Sequence, residues 1–313
     1  MADVILNHLS AANLFDLGGV IVVITGGGTG IGLMIATTLV ANGATVYIIG
    51  PKQADLDKIA KVYNDAAHKI SSKGRIYGLE GDVRQKSEAI RLAQEIGKRE
   101  KYITALFNNA GIAGTSSTYG APEEPTAASF IKKYFDPVSQ ADFNNVLNTN
   151  AVGPYWLTFA FLPLLEAWKN SAQSNLAAAK FVPQIIMTSS MNGWTKDSAT
   201  SGRSWPYMYS KSAIGHATSS LAHELLPLGI RVNGIAPGWF QTEMTAPGTQ
   251  DAVGLSHYGP EEAAIEFNVP AIPTGGTNRD MGALALFLIA NWFINGETIL
   301  IDGGTLLKHP SSY

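Results

Sequence analysis

The stretch TGGGTGIG (residues 25–32) decides how the chain folds, because it follows the β-branched run VIVVIT (20–25) and leads directly into a helix-like segment. Gly26, Gly30 and Gly32 are spaced by four and two residues. A glycine-rich turn between a strand and a helix lets the backbone approach a pyrophosphate, whose negative charge the helix N-terminus then stabilises. A purely structural turn can also be rich in glycine. The position after the first strand of an alternating chain favours a dinucleotide-binding turn.

Beyond this turn, short apolar runs alternate with longer amphipathic or apolar segments. The runs predicted to be strands are VIVVIT (20–25), ATVYII (44–49), ITALFN (103–108), QIIMTS (184–189), IRVNGIA (230–236) and ETILID (297–302). Strands that are apolar throughout and separated by helices indicate a parallel sheet covered on both faces. We therefore predict an α/β fold with a doubly wound parallel sheet, the Rossmann fold, in a single domain. Its ligand sites should lie at the carboxyl ends of the strands.

The predicted domain occupies residues 17–305, between an N-terminal extension (1–16) and a C-terminal tail (306–313). Two segments interrupt the alternation of strands and helices. Residues 112–139 are rich in Gly, Pro, Ser and Thr and are predicted to form an extended surface loop, whereas residues 240–279 are predicted to form a mobile substrate flap. Long loops inside a compact domain are more often functional than accidental.

Composition excludes several classes of function. The chain has 313 residues, of which 46% are hydrophobic and 15% charged, and its net charge is −3. We therefore expect no nucleic-acid partner and no membrane partner, and a cytoplasmic location is the default. The absence of cysteine excludes disulfides, thiolate metal sites and a cysteine nucleophile. His216 and His223 lie on one predicted helical face but lack a third ligand, so no metal site is predicted.

The end of the second predicted strand bears on which nicotinamide cofactor is bound. An acidic residue there hydrogen-bonds a ribose 2′-hydroxyl and favours NAD(H), whereas a basic residue accommodates a 2′-phosphate. The strand ends in IIGPKQ (48–53), which has no carboxylate and contains Lys52. This pattern favours NADP(H) over NAD(H), although Lys52 could equally be an ordinary solvated lysine.

Eight motifs occur in an order that resembles the short-chain dehydrogenase/reductase family in its basic one-domain form, including 3-oxoacyl-ACP-reductase-like members. The motifs are TGGGTGIG (25–32), GDV (81–83), NNAG (108–111), NTNAVG (148–153), MTSS (187–190), YMYSK (207–211), RVNGIAPGWFQTEM (231–244) and INGETILIDGG (294–304). The resemblance covers residues 17–305. It implies a cofactor-binding site and a catalytic tetrad at matching positions.

By this resemblance, Asp82 and Val83 would hold the adenine, and residues that follow the predicted strand at 230–236 would hold the nicotinamide amide. The predicted cofactor-binding residues are Gly26, Gly28, Thr29, Gly30, Ile31, Gly32, Lys52, Asp82, Val83, Asn109, Ala110, Gly111, Tyr207, Lys211, Pro237, Gly238, Phe240 and Thr242. The tetrad implied by the resemblance is Asn150, Ser190, Tyr207 and Lys211.

Helix geometry distinguishes the two tyrosines of SWPYMYSK (204–211). Reducing a carbonyl requires a proton donor at its oxygen, and tyrosine, with an ordinary pKa of about 10, needs help to act near pH 7. Tyr207 and Lys211 are four residues apart and share a helical face, whereas Tyr209 and Lys211 are two apart and do not. We therefore predict that Tyr207 is the proton donor and that Lys211 lowers its pKa. Tyr209 is predicted to pack or to line the substrate site.

Ser189 and Ser190 stand at the end of the predicted strand QIIMTS (184–189), and the resemblance favours Ser190 as the serine that binds the substrate oxygen. Ser190 and Tyr207 are 17 residues apart, a longer separation than the family pattern. The additional residues fall in KDSATSGRSW (196–205), which we interpret as a substrate-side elaboration.

Asn150 lies inside a long helical stretch, 140–169, where an asparagine is ordinarily only tolerated. Pro154 follows four residues later and has no N–H to donate to the Asn150 carbonyl, so a kink is expected there. In the resembled family, a kink at this asparagine holds a water that relays protons from the lysine.

The predicted function is reduction of a ketone or other carbonyl compound by NADP(H), or oxidation of the corresponding alcohol. Tyr207 would protonate the oxygen that Ser190 orients. Two alternatives stay open: a redox-neutral isomerase or cyclase, and a non-catalytic NADP(H)-sensing protein. Five residues are predicted to border the nicotinamide or to pack as a lid: Trp194, Trp239, Phe240, His257 and Tyr258. The apolar surface of the helices at 140–169 and 207–226 predicts a homo-oligomer, a dimer or a homotetramer.

Overall fold

The computed structural model describes residues 1–114, 121–171, 180–257 and 267–313. Within those residues, seven strands form one parallel sheet: β1 (Ile21–Thr25), β2 (Thr45–Gly50), β3 (Arg75–Glu80), β4 (Ala105–Asn108), β5 (Gln184–Thr188), β6 (Arg231–Pro237) and β7 (Thr298–Ile301). Their spatial order is β3-β2-β1-β4-β5-β6-β7. The order reverses between β1 and β4, where a doubly wound sheet has its ligand crevice. The predicted fold is confirmed.

Helices cover both faces of the sheet. They are α1 (Ala2–Leu9), α2 (Ala11–Leu14), α3 (Gly30–Ala41), α4 (Gln53–Lys69), α5 (Lys86–Gly97), α6 (Ala127–Phe130), α7 (Gln140–Leu147), α8 (Gly153–Glu166), α9 (Trp168–Ser171), α10 (Trp205–Glu224) and α11 (Asn278–Ala290). Among the described residues, no helix combines the length and apolar character needed to cross a membrane.

Side chains alternate between two cores along the buried strands. Val22 and Ile24 of β1 pack with α3, α4 and α11 on one face, whereas Ile21 and Val23 pack with α5, α8 and α10 on the other. Both faces are apolar because a parallel strand in the middle of a covered sheet meets helices on each side. Fully burying each such side chain contributes about 1.5–3 kcal/mol, so the strand ends at the site are firmly positioned.

The sequence prediction omitted β3, because RIYGLE (75–80) has no continuous apolar run. As the edge strand next to β2, it is only partly covered, and Tyr77 and Glu80 are exposed. Its pairing with β2, and not its hydrophobicity, identifies this segment as a strand. Tyr77 pairs with Tyr47, and their rings stack with centroids 5.3 Å apart.

The helical stretch predicted over 140–169 is interrupted where a kink was expected. A π-helical turn, Asn148–Val152, separates α7 from α8, and the Gly153 N–H donates to the Asn148 carbonyl. Pro154 follows at the start of α8 and cannot donate a backbone hydrogen bond. Single π-helical turns inside α-helices frequently occur at functional sites. This turn places Asn150 in the interior, 1% exposed.

Candidate active site

The glycine-rich turn has the geometry that a pyrophosphate requires. Gly26 and Gly30 have positive φ angles of +64° and +51°, which favour glycine. A Cβ at Gly32 would lie 2.2 Å from the Gly26 carbonyl oxygen, so the first turn of α3 packs directly against the end of β1. The side chains present therefore leave the N-terminus of α3 open to an anion, and the turn fits a dinucleotide.

Thr25 and Asn109 join this turn to the end of β4. The Thr25 hydroxyl accepts hydrogen bonds from the backbone N–H groups of Asn109 and Ala110, each at 3.0 Å. The Asn109 amide donates to the Thr25 carbonyl at 3.0 Å and accepts from the Thr188 hydroxyl at 3.3 Å. Asn109 thus supports three strand ends, as the resemblance implied. The sequence analysis overlooked Thr25, although its place at the end of β1 is visible in the sequence.

The adenosine end is predicted to be held by the loops that follow β2 and β3. The Asp82 carboxylate accepts from the Arg84 guanidinium at 2.8 Å, and this hydrogen bond lowers the pKa of Asp82. Lys52 is exposed at the start of α4. The first backbone N–H of that helix, on Gln53, donates to the Glu80 carboxylate at 2.9 Å. The Glu80 carboxylate is thus engaged at this edge, where Lys52 is exposed.

The loop after β6 lies against the glycine-rich turn. A Cβ at Gly238 would lie 2.6 Å from the Asp302 Cα, and a Cβ at Gly30 would lie 3.2 Å from the Thr242 Cβ. Thr242 therefore lies beside the start of α3, which fits a role at the cofactor. The side chain of Phe240 is 3% exposed and packs in the core, as the lid-packing alternative expects. Its contact with the nicotinamide stays a prediction.

Tyr207 and Lys211 share one face of α10, as the spacing predicted. The Lys211 ammonium lies 5.6 Å from the centre of the Tyr207 ring and donates to the Thr188 carbonyl at 2.7 Å. Tyr209 is 57% exposed, and its ring packs 5.9 Å from that of Phe143. It therefore belongs to the packing side of the helix.

Burial dominates the electrostatics of this pair. It lowers the pKa of Lys211 to about 8 and raises the pKa of Tyr207, while the hydrogen bond between Ser190 and Tyr207 acts in the opposite direction on the phenol. That Lys211, together with the positive nicotinamide ring of the oxidised cofactor, lowers the pKa of Tyr207 stays a prediction. A low dielectric disfavours the charged form of each group, and the ammonium faces the tyrosine ring rather than pairing with its oxygen.

The two serines at the end of β5 have different partners. The Ser189 hydroxyl donates to the Lys211 carbonyl at 2.8 Å and so fixes α10 to the strand. The Ser190 hydroxyl accepts from the Asn192 N–H at 3.1 Å and donates to the Pro237 carbonyl at 3.3 Å, a long and weak bond. Ser190 is thus the hydroxyl that can exchange a partner for a substrate oxygen.

Asn150 is tied to the catalytic helix by a network that the sequence analysis did not identify. Its amide accepts from the Ile112 N–H and donates to the Ile112 carbonyl, each at 2.9 Å, and it also donates to the Ser210 hydroxyl at 2.9 Å. Ser210 in turn donates to the Tyr207 carbonyl at 2.7 Å. The sequence feature that could have indicated this network is Ser210, the serine directly before Lys211 in YMYSK (207–211).

The flap begins over the cofactor turn but continues toward the adenosine side. The Tyr63 hydroxyl of α4 donates to the Val253 carbonyl at 2.8 Å, and a Cβ at Gly254 would clash with Ile59 and Leu33. His257 pairs with Asp251 at 2.8 Å within this segment. His257 therefore packs within the flap, and its place beside the nicotinamide stays a prediction. Tyr258 lies outside the described residues.

Comparisons with known proteins agree with this arrangement. A family model described as short chain dehydrogenase matches residues 20–252. The short-chain dehydrogenase/reductase PhomF of Diaporthe leptostromiformis is 35% identical over 100% of both chains. The rhamnolipids biosynthesis 3-oxoacyl-[acyl-carrier-protein] reductase of Pseudomonas aeruginosa is 31% identical, with 93% of this chain and 97% of that protein covered.

A solved structure shows the same relationship. The Pseudomonas aeruginosa RhlG/NADP active-site complex superposes with a TM-score of 0.69 at 28% identity, covering 93% of this chain and 98% of that one. The resemblance stated from the sequence motifs is thereby confirmed. The chain belongs to the short-chain dehydrogenase/reductase family and is an oxidoreductase that uses a nicotinamide cofactor and acts on small molecules.

Proposed function

We propose that the protein reduces a ketone or other carbonyl compound with NADP(H), or oxidises the corresponding secondary alcohol. The observation that supports this most directly is the convergence of four predicted catalytic residues at one edge of the sheet. Ser190 hydrogen-bonds Tyr207, Lys211 lies against the Tyr207 ring, and Ser210 joins Tyr207 to Asn150.

Each of the four predicted catalytic residues has a distinct role in the proposed reaction. The bound cofactor supplies a hydride to the carbonyl carbon. Tyr207 gives its phenolic proton to the carbonyl oxygen, and the Ser190 hydroxyl orients that oxygen. Lys211 restores the proton along a relay that Asn150 positions, and its buried ammonium stabilises the phenolate as the proton leaves.

Three observations favour NADP(H) over NAD(H). No carboxylate follows β2, where an NAD-specific chain would bind the ribose hydroxyls. Lys52 is exposed at that edge, and the Glu80 carboxylate is engaged by the Gln53 N–H. The structural relative from Pseudomonas aeruginosa is an NADP complex. We therefore assign the 2′-phosphate contact to Lys52.

We also propose that the protein is a homo-oligomer, a dimer or tetramer. Tyr155 and Phe159 of α8 are 50% and 41% exposed, and their rings pack 4.9 Å apart on the outer surface of the helix. An exposed aromatic pair on α8 is a surface that a second copy would cover. Sedimentation or light scattering measures the oligomeric state directly.

The proposed activity is tested by following NADPH and NADH oxidation against a panel of ketones, diketones and β-ketoacyl thioesters. Tyr207→Phe should reduce turnover about 100- to 10,000-fold because it removes the proton donor, while NADPH binding is kept. Tyr209→Phe, two residues along the same helix, is the matched control and should retain turnover. Equal turnover in Tyr207→Phe and the wild type would refute the proposal. Tight NADPH binding without reduction of any carbonyl would favour a redox-neutral or sensing role.

A further inference from the structure

The C-terminal tail lies along the loop that follows the catalytic serine. The Lys196 N–H donates to the Pro310 carbonyl at 2.7 Å, and the Ser312 N–H donates to the Trp194 carbonyl at 2.8 Å. The rings of Trp194 and Tyr313 pack with centroids 4.8 Å apart. The tail therefore forms a short antiparallel pairing with residues 194–196.

His309 occupies the centre of this contact and touches two separate segments. Its Nδ1 lies 2.8 Å from the Asp197 carboxylate, and its Nε2 accepts the Asn268 N–H at 3.4 Å. A neutral ring with its proton on Nδ1 satisfies both bonds. The imidazole also meets the Phe267 ring edge-on at 6.1 Å, and Phe267 meets Trp239 at 5.8 Å.

Of the two segments joined by His309, residues 194–197 follow β5, whereas residues 267–268 pack through the Phe267 ring against Trp239 in the loop after β6. Asp197 follows Ser190 at the end of β5, and Trp239 follows Pro237 at the end of β6. Strands β5 and β6 pair directly, so the loops that extend from them flank the cleft above Ser190. His309 thus spans the substrate side of the site from outside it.

We propose that His309 is a positioning residue that holds residues 194–197 and 267–269 at a fixed separation and thereby defines the width of the substrate cleft. The kinetic part of this inference rests on the proposed carbonyl chemistry, whereas the structural part does not. Asp197 is well suited to anchor the ring. One of its oxygens accepts the Ala199 N–H at 3.0 Å, so its carboxylate is already fixed before it meets His309.

The structural part is tested by hydrogen–deuterium exchange on the full-length protein. His309→Ala should accelerate amide exchange at least about tenfold in both 194–197 and 267–269, because each segment loses its partner. His68→Ala, at an exposed histidine of α4, is the matched control and should change neither. Acceleration in only one segment, or in neither, would overturn the bridging role.

A conservative variant separates the two contacts. His309→Asn retains a donor near the position of Nδ1 and loses both the Nε2 acceptor and the ring that meets Phe267. Slow exchange should therefore return at 194–197 but not at 267–269. Restoration of both segments, or of neither, would contradict the assignment of one ring nitrogen to each segment.

Kinetics test the positioning role, using the panel carbonyl that the wild type turns over best. His309→Ala should raise its KM about tenfold, while kcat stays within about threefold and the Kd for NADPH is unchanged. A loss of kcat with unchanged KM would overturn this role. If the wild type reduces no carbonyl, the proposed function fails, and the exchange measurements still decide whether His309 joins the two segments.

Discussion

Replacing Lys211 with methionine should stabilise the protein while removing its activity. Lys211 is 3% exposed, and burial lowers its pKa from 10.5 to about 8. A difference of about 2.5 pKa units corresponds to about 3 kcal/mol by which folding disfavours the ammonium. Methionine has a similar length and no charge to desolvate, but it forfeits the hydrogen bond from the ammonium to the Thr188 carbonyl, worth about 2 kcal/mol. The variant should therefore be about 1 kcal/mol more stable at pH 7.

The difference in stability between the wild type and Lys211→Met changes with pH in one direction. Because the pKa of Lys211 is lower in the folded protein, the unfolded chain binds more protons between about pH 8 and 10.5. The stability of the wild type relative to Lys211→Met therefore rises with pH through that window. Below about pH 8 the penalty on the wild type is complete. Between pH 7 and 9.5 the wild type should regain about 2 kcal/mol.

The assay is urea unfolding of wild type and variant at pH 7 and pH 9.5, at equal protein concentration. Lys58→Met, at an exposed position of α4, is the control and should show no such change with pH. A variant that is less stable than the wild type at pH 7, or a stability difference that does not vary with pH, would refute the reasoning. Carbonyl turnover by Lys211→Met should be lost under all these conditions.

Three further predictions concern other residues of the site. Gly32→Ala should abolish NADPH binding, because the Cβ of the new alanine would lie 2.2 Å from the Gly26 carbonyl oxygen. Calorimetry measures the affinity for NADPH, and an unchanged affinity would contradict the close packing of this turn. Ser210→Ala should lower kcat about tenfold with little change in KM, because Asn150 loses one of its partners. Steady-state kinetics measure this, and a raised KM with unchanged kcat would contradict the role. Lys52→Ala should weaken NADPH about tenfold and leave NADH unchanged, and equal losses for both cofactors would exclude a 2′-phosphate contact.

Most of the fold could be predicted because apolar runs and glycine-rich turns are local signals. The six predicted strands exist, and the i, i+4 spacing placed Tyr207 and Lys211 on one face of α10. Strand β3 was missed because an edge strand needs no continuous apolar run; its pairing with β2, a long-range contact, identifies it. The contact of the flap with α4 could not be predicted for a related reason, since nothing local to the flap indicates that Tyr63 and Ile59 anchor it.

Long-range contacts also explain why His309 escaped notice. A lone histidine in a polar tail has no periodic pattern, and its partner Asp197 is 112 residues away in the chain. The tail lies outside the segment that matches the family model, residues 20–252. The parts of the molecule that flank the substrate cleft are thus those about which sequence motifs say least.

The raised pKa of Tyr207 suits the reductive direction that we propose. A proton donor must be protonated when the carbonyl binds, and burial keeps the phenol neutral at physiological pH. Tyr207 must then become a phenolate as its proton leaves, which burial alone would oppose. An oxidised cofactor held by the glycine-rich turn and the loop after β6 would supply a positive charge in the same cleft, which would favour the phenolate of Tyr207. Lys211, whose pKa is about 8, can then return a proton to Tyr207 near neutral pH. The two opposite pKa shifts, which look unfavourable for catalysis in the protein by itself, therefore fit the order of events in the reduction.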